Sequence, residues 1–111
     1  GGVMSVALLS RATALIRGAS ADLAIDNATA EVIEATRAEH TAVVAAAQAA
    51  AECKAASTTH RTSPCPLHQH LALRAHGRMD KALEAVHLAV ERRSAAEAAL
   101  KVARQHPDVP L

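Results

Sequence analysis

Residues 28–57 read ATAEVIEATRAEHTAVVAAAQAAAECKAAS, a stretch of 30 positions that contains neither proline nor glycine. Alanine has the highest helix propensity of the amino acids because it loses no side-chain entropy in a helix. The stretch therefore predicts one long helix. Steps of three and four residues predict that its buried side contains Val32 or Ile33, Thr36, Val43 or Val44, Ala47, and Ala50 or Ala51.

The rest of the chain shares this composition. Alanine supplies 29 of the 111 residues, whereas leucine, valine, isoleucine and methionine together supply 25, and there is no aromatic residue. Burial of a leucine or valine stabilises a fold by roughly 1.5–3 kcal/mol, and an alanine contributes much less. A core of this kind is thin, so we expect helices that pack closely or chains that associate with a protein partner, most simply as a homo-oligomer.

Two further helices flank the first stretch. Apolar residues from Val6 to Leu23 predict a helix over residues 4–25, ended by the turn-forming pair Asp26-Asn27, with Gly18 as an alternative end. A third helix is predicted over residues 65–104. Its apolar stripe is Leu67, Leu71, Ala75, Met79, Ala82 or Leu83, Val86, Ala89 or Val90, Ala96, Leu100 and Ala103.

These elements predict an all-α fold, since no segment alternates apolar and polar residues with the period of a strand. The loop over residues 58–64 is short, so the helices on either side of it should lie antiparallel. We expect a single helical domain over residues 1–111, an antiparallel three-helix bundle with long alanine-rich helices. It becomes a four-helix bundle if Gly77 breaks the last helix, and residues 105–111, with two prolines, form an extended tail.

One group of side chains could carry chemistry. Cys53, His60, Cys65 and His68, followed by His70, lie within 18 residues, and thiolate and imidazole are the ligands that zinc prefers. A zinc site is one interpretation, although the spacing matches no standard zinc finger, and copper or haem ligation is a further one. A Cys53–Cys65 disulfide that staples the loop is favoured over the metal. Two unrelated thiols are the remaining alternative.

Other functions find little support in the sequence. The chain has no nucleophile elbow, no HExxH pair and no glycine-rich phosphate loop, which argues against an enzyme. Glu84 and His87 form a lone ExxH pair, whereas di-iron bundles need two. Twelve basic residues balance eleven acidic ones, which argues against a dedicated nucleic-acid binder, and a small nucleic-acid-associated regulator is the last alternative.

The location of the protein follows from weaker signals. No apolar stretch approaches the ~20 residues of a membrane span. Ala19-Ser20-Ala21 resembles a signal-peptidase site, but Arg11 interrupts the apolar run before it, so an amphipathic helix is favoured there. Nine arginines against three lysines and the alanine content suggest a bacterial or phage protein. A cytoplasmic location is favoured, with secretion as the alternative if the disulfide forms.

The function that these observations predict is that of a non-enzymatic helical scaffold or accessory protein. It would act through protein–protein contacts and would self-associate. The alternative is a metal- or redox-responsive module centred on Cys53 and Cys65 in the interhelix loop.

Overall fold

The computed structural model describes residues 2–105, and it describes the side chains of residue 11 and of residues 15–105. These residues form two helices, α1 (Gly2–Thr62, 61 residues) and α2 (Pro66–Gln105, 40 residues), and no strand. The linker between them is residues 63–65. The predicted all-α class is confirmed, and the chain itself supplies two helices where three or four were expected. Nearly all of the predicted extended tail lies outside the described residues.

The expected turn at Asp26-Asn27 is replaced by continuous helix, so the predicted helices over residues 4–25 and 28–57 are one element. Aspartate and asparagine cost at most ~0.7 kcal/mol each relative to alanine inside a helix. A break would instead leave up to four N–H and four C=O groups without helical partners. The Thr29 hydroxyl finds its partner within the same helix, because it donates to the Ile25 carbonyl oxygen at 2.8 Å.

The predicted loop over residues 58–64 is also shorter than expected, because α1 continues to Thr62. The threonine hydroxyls there donate to carbonyl oxygens four residues earlier, Thr58 to Lys54 at 2.9 Å and Thr59 to Ala55 at 3.0 Å. These bonds make the polar residues compatible with a helix that turn propensity alone would end. Pro64 stops the helix, since the residue before a proline is disfavoured in the α conformation.

Gly77 does not break α2, which runs through it without interruption. Its φ is negative, as in any helical residue, and a Cβ built on it would meet no atom within 4 Å. The glycine therefore weakens the helix without serving a turn or a close approach.

The chain divides into two compact units, Gly1–Ile33 with Ser94–Leu111, and Glu34–Arg93. The unit of residues 34–93 is a hairpin made by the second half of α1 and the first part of α2. Two ion pairs join its helices, Glu39 with Arg93 and Glu52 with Arg78. From the first pair to the second, the residue number rises by 13 on α1 and falls by 15 on α2, so the two helices are antiparallel.

The buried positions of this hairpin follow a seven-residue repeat. Alanine occurs at every seventh residue from 35 to 56 on α1 and from 75 to 89 on α2, and none of these alanines is exposed: Ala35, Ala42, Ala49 and Ala56, and Ala75, Ala82 and Ala89. Ala35 and Ala75 are 0% and 1% exposed, the lowest values among the described residues. We call these alanines the d positions of a heptad, and the line they follow the alanine seam.

The companion a positions lie three residues before the next d position and are more varied. On α1 of the hairpin they are Glu39, Ala46, Cys53 and His60, and on α2 they are Ala72, Met79, Val86 and Arg93. All eight are buried or half-buried. The Glu39–Arg93 pair therefore occupies two facing a positions, with side chains only 22% and 29% exposed. A charged pair in a seam specifies helix register, because any slip would leave each charge without its partner.

The other unit repeats the pattern. Its d positions are also alanines, none of them exposed: Ala21, Ala28, Ala96 and Ala103. The a positions Ile25, Val32 and Leu100 are half-buried. This unit therefore places larger apolar side chains beside its alanines than the hairpin of residues 34–93 does.

The predicted buried side of α1 was wrong in most of its residues. Ile33, Val43 and Val44 are 44–48% exposed, and the exposed set includes Ala47, Ala50 and Ala51. The predicted stripe of α2 was mostly right. Its residues from Ala75 to Ala103 are buried or half-buried, with Ala82 and not Leu83 on the inner side. Leu67 and Leu71 are exposed. Large apolar residues were expected inside, whereas small ones form the contact between the helices.

Replacement of Gly77 by alanine tests the continuity of α2. Because the site is helical and open, G77A should raise the free energy of unfolding by about 0.5–1 kcal/mol. Urea denaturation followed by circular dichroism at 222 nm measures it, with His76→Ala on the same exposed surface as the control for general helix propensity. A destabilised G77A would show that the glycine provides a kink.

Enlargement of the seam tests its packing. Ala49→Leu should lower the free energy of unfolding by about 1–3 kcal/mol, because the added atoms force the helices apart. The matched control is Ala55→Leu, which adds the same atoms at an exposed position of α1 and should stay within about 0.5 kcal/mol of the wild type. Equal effects of both variants in urea denaturation would contradict the assignment of the seam.

Candidate functional site

The junction between α1 and α2 holds the residues with chemical potential. Pro66 begins α2, where its missing N–H costs nothing. Cys65, just before it, is the N-cap: its Sγ accepts a hydrogen bond from the His68 backbone N–H at 3.3 Å, and its carbonyl oxygen accepts from the Gln69 N–H at 3.0 Å. A thiol thus takes the place usually filled by a serine, threonine, aspartate or asparagine side chain.

His68 fixes the linker from the other side. Its Nδ1 lies 2.5 Å from the Ser63 carbonyl oxygen, so that nitrogen carries the proton and donates. The Ser63 backbone N–H in turn donates to the Thr59 carbonyl oxygen at 2.9 Å. Cys65 and His68 therefore act together to hold the three-residue linker between the helices, which is a structural role.

His60 lies in the last turn of α1 at an a position. Its Nδ1 is buried and makes no hydrogen bond to the described part of the protein. The ring as a whole is half-buried. His70, at the start of α2, is exposed.

Cys53 is separated from this junction by the geometry of the hairpin. It is 5% exposed and packs at an a position of the seam, as a small apolar side chain would. Its neighbour Glu52 pairs with Arg78, which lies 12 residues beyond Pro66, about 18 Å along α2. A disulfide needs Cα atoms within ~7 Å of each other.

Both cysteines are free thiols in the structure. The predicted Cys53–Cys65 disulfide stays a prediction, and its formation within one chain would require the hairpin to open. The predicted metal set of Cys53, His60, Cys65 and His68 is divided in the same way, with Cys53 remote from the linker. Among the described residues, no three cysteine, histidine or acidic side chains lie close enough together to hold a metal ion.

The second notable feature is an exposed apolar surface. Twelve large apolar side chains of the described residues are 44–75% exposed: Leu15, Ile16, Leu23, Ile33, Val43, Val44, Leu67, Leu71, Leu73, Leu83, Leu88 and Val102. The buried apolar residues, by contrast, are six alanines and Cys53. Isolated exposed leucines are ordinary in proteins, but it is unusual that, among the described side chains, alanines are buried and most large apolar residues are exposed.

Comparison with known proteins provides no family for the chain. No family model matches it, and neither a curated protein nor a solved structure shows significant similarity to it. No described helix has a segment that is both long enough and apolar enough to cross a membrane.

Substitution of Cys65 distinguishes a cap from a redox or metal group. Because a hydroxyl accepts the His68 N–H more strongly than a thiol does, Cys65→Ser should keep or raise the free energy of unfolding. Cys65→Ala should lower it by about 0.5–1 kcal/mol. Urea denaturation in reducing and oxidising buffer, with and without zinc, provides the measurement.

The control is Cys53→Ser, which places a hydroxyl in the seam and should destabilise equally in all four buffers. A zinc- or oxidant-dependent stability that disappears in both serine variants would contradict the capping role and restore the metal or disulfide interpretation.

Proposed function

We propose that this chain is a non-enzymatic helical scaffold or accessory protein that acts through protein–protein contacts and that associates with itself. In this proposal the bundle expected from the sequence forms between chains: two hairpins supply the helices of a four-helix bundle. The observation that carries the proposal is the inversion of burial, with alanines in the seam and large apolar side chains outside.

Self-association would bury apolar surface that the single chain leaves exposed. Burial of apolar area is worth roughly 25 cal/mol per Å², and leucine, isoleucine and valine hold most of that area in a chain without aromatic residues. As a single chain, the protein leaves much of this area in water. Association that covers part of this exposed leucine and valine surface would add stabilisation that the alanine seam cannot supply, because an alanine buries little beyond its own methyl group.

The helices also have the geometry that such bundles need. In the unit of residues 34–93, each helix contributes 28 or 29 residues to the hairpin, which is about 42 Å of continuous helix. Antiparallel helices of this length form the layers of four-helix bundles, in which each helix buries one stripe against its chain partner and a second against another layer.

Native mass spectrometry of the full chain, unreduced and at concentrations from about 1 µM to about 1 mM, tests self-association. We expect a dimer whose fraction rises with concentration and whose mass equals two unmodified chains. Sedimentation velocity provides an independent control for the gas-phase result. A monomer at every concentration in both measurements would overturn the proposal.

A further inference from the structure

We propose that a second copy of this chain docks on one side of the hairpin of residues 34–93, and that each α1 then lies against the α2 of its partner with both helix junctions at the same end. This inference rests on the self-association proposed above and adds the surface and the orientation. Charge distribution around the hairpin provides the first argument, and the sizes of the apolar residues provide the second.

The heptad repeat divides the hairpin into two sides. Positions e and g flank the seam on opposite sides, b lies outside e, c lies outside g, and f is outermost. The Glu52–Arg78 pair joins two g positions across the helices. The side formed by g and c is here called the g side, and the side formed by e and b the e side.

The charges of the g side favour pairing between the two helices of one hairpin. Its acidic residues all belong to α1, Glu34 and Glu52, and its basic residues all belong to α2. The basic residues are Arg74, Arg78, Lys81 and Arg92. Acidic α1 thus faces basic α2 within one chain. Four positive charges against two negative ones leave this side with a net positive charge, so two such sides would repel each other.

The e side and the outermost positions have the opposite arrangement. Here the charged residues of α1 are all basic, Arg37, Lys54 and Arg61, and those of α2 are all acidic. The acidic residues are Asp80, Glu84 and Glu91, and all six charged side chains are exposed. Of these, Lys54, Arg61 and Asp80 lie on the e side itself, whereas Arg37, Glu84 and Glu91 are at the outermost f positions, which border both sides. Together they give a basic edge on α1 and an acidic edge on α2. Such a surface is complementary to a second copy of itself.

This division selects one orientation of the second copy. A two-fold axis parallel to the helices places α1 of one copy against α2 of the other and brings the basic edge to the acidic edge. A two-fold axis across the helices, by contrast, would place α1 against α1 and bring like charges together. The parallel axis therefore gives the favourable arrangement, and it puts both junctions at one end.

The register of the hairpin then predicts which residues meet. The pairs Glu39–Arg93 and Glu52–Arg78 put Asp80 level with residue 51 of α1, three residues from Lys54. Three residues of helix rise about 4.5 Å, within reach of a lysine side chain. Both residues are at b positions, which flank the new contact. On the outermost positions, Glu91 is level with residue 40, three residues from Arg37.

The apolar residues of the e side are complementary in size in the same register. Leu83 of α2 is level with residue 48, between the exposed alanines Ala47 and Ala50 of α1. Val90 is level with residue 41, two residues from Val43 of the other copy. A leucine of one copy therefore fits between two alanines of the other, the packing of a large side chain into a hole lined by small ones.

Reciprocal charge reversal in the full chain tests both surface and orientation. Lys54→Glu and Asp80→Lys, each made alone, place like charges together twice per dimer and should each raise the dimer Kd by about tenfold. A mixture of the two single variants should restore wild-type affinity as a heterodimer, because every reversed charge then meets its complement. Native mass spectrometry resolves the heterodimer from both homodimers by mass.

Matched controls lie on the g side. Lys81→Glu reverses the same kind of charge there and should leave the Kd unchanged, and Leu83→Asp should abolish the dimer while Leu88→Asp, on the g side, should not. Helicity at 222 nm verifies that each variant is folded. If the wild type is a monomer, the proposed self-association fails. If the wild type is a dimer but the single reversals have no effect, or their mixture shows no rescue, self-association stands and the surface and orientation proposed here are overturned.

Discussion

Within each of the two units, the contact on which the fold depends is a line of alanine methyl groups. Alanine occupies every seventh position from residue 21 to residue 56 and again from residue 75 to residue 103, and all of these alanines are buried or half-buried. A methyl group offers little apolar area, but it lets two helix backbones approach closely and exchange many small dispersion contacts. The seam therefore defines which face of each helix is inside, and most large apolar side chains of the described residues lie outside it.

The seam alone would not determine how the two helices align, because one alanine methyl resembles the next. A slip by one heptad would superpose alanines on alanines at little cost. Two sets of polar contacts remove that ambiguity in the unit of residues 34–93: Glu39 meets Arg93 at one end, and the capped junction of Cys65 and His68 closes the other. Register is thus specified by a few polar contacts and close packing by the alanines, a division of roles known from coiled coils.

The helical class of the chain was predictable from composition, and so was most of the inner face of α2, where Met79, Val86 and Leu100 share the seam with alanines. The inner face of α1 was not predicted, because Val43 and Val44 were expected in the core on the grounds of their size. The seven-residue spacing of alanine was the signal that could have corrected it. The predicted turn at Asp26-Asn27 and the predicted loop from residue 58 were wrong for a related reason, because residues that can end a helix also occur inside one.

The candidate site shows the same limit. Spacing in the sequence brought Cys53, His60, Cys65 and His68 together as possible ligands, but a continuous α1 carries Cys53 into the seam and away from the junction. The spacing could not show that the segment is helical, and in a helix two residues move 1.5 Å further apart along the axis for each residue that separates them. The charges, by contrast, are informative only after the helices are paired. Basic and acidic residues balance over the whole chain, and their separation onto two sides of the hairpin becomes visible when the seam defines inside and outside. The charges of the g side pair the two helices of one chain, and those of the e side and the outermost positions are complementary to a second copy of the chain.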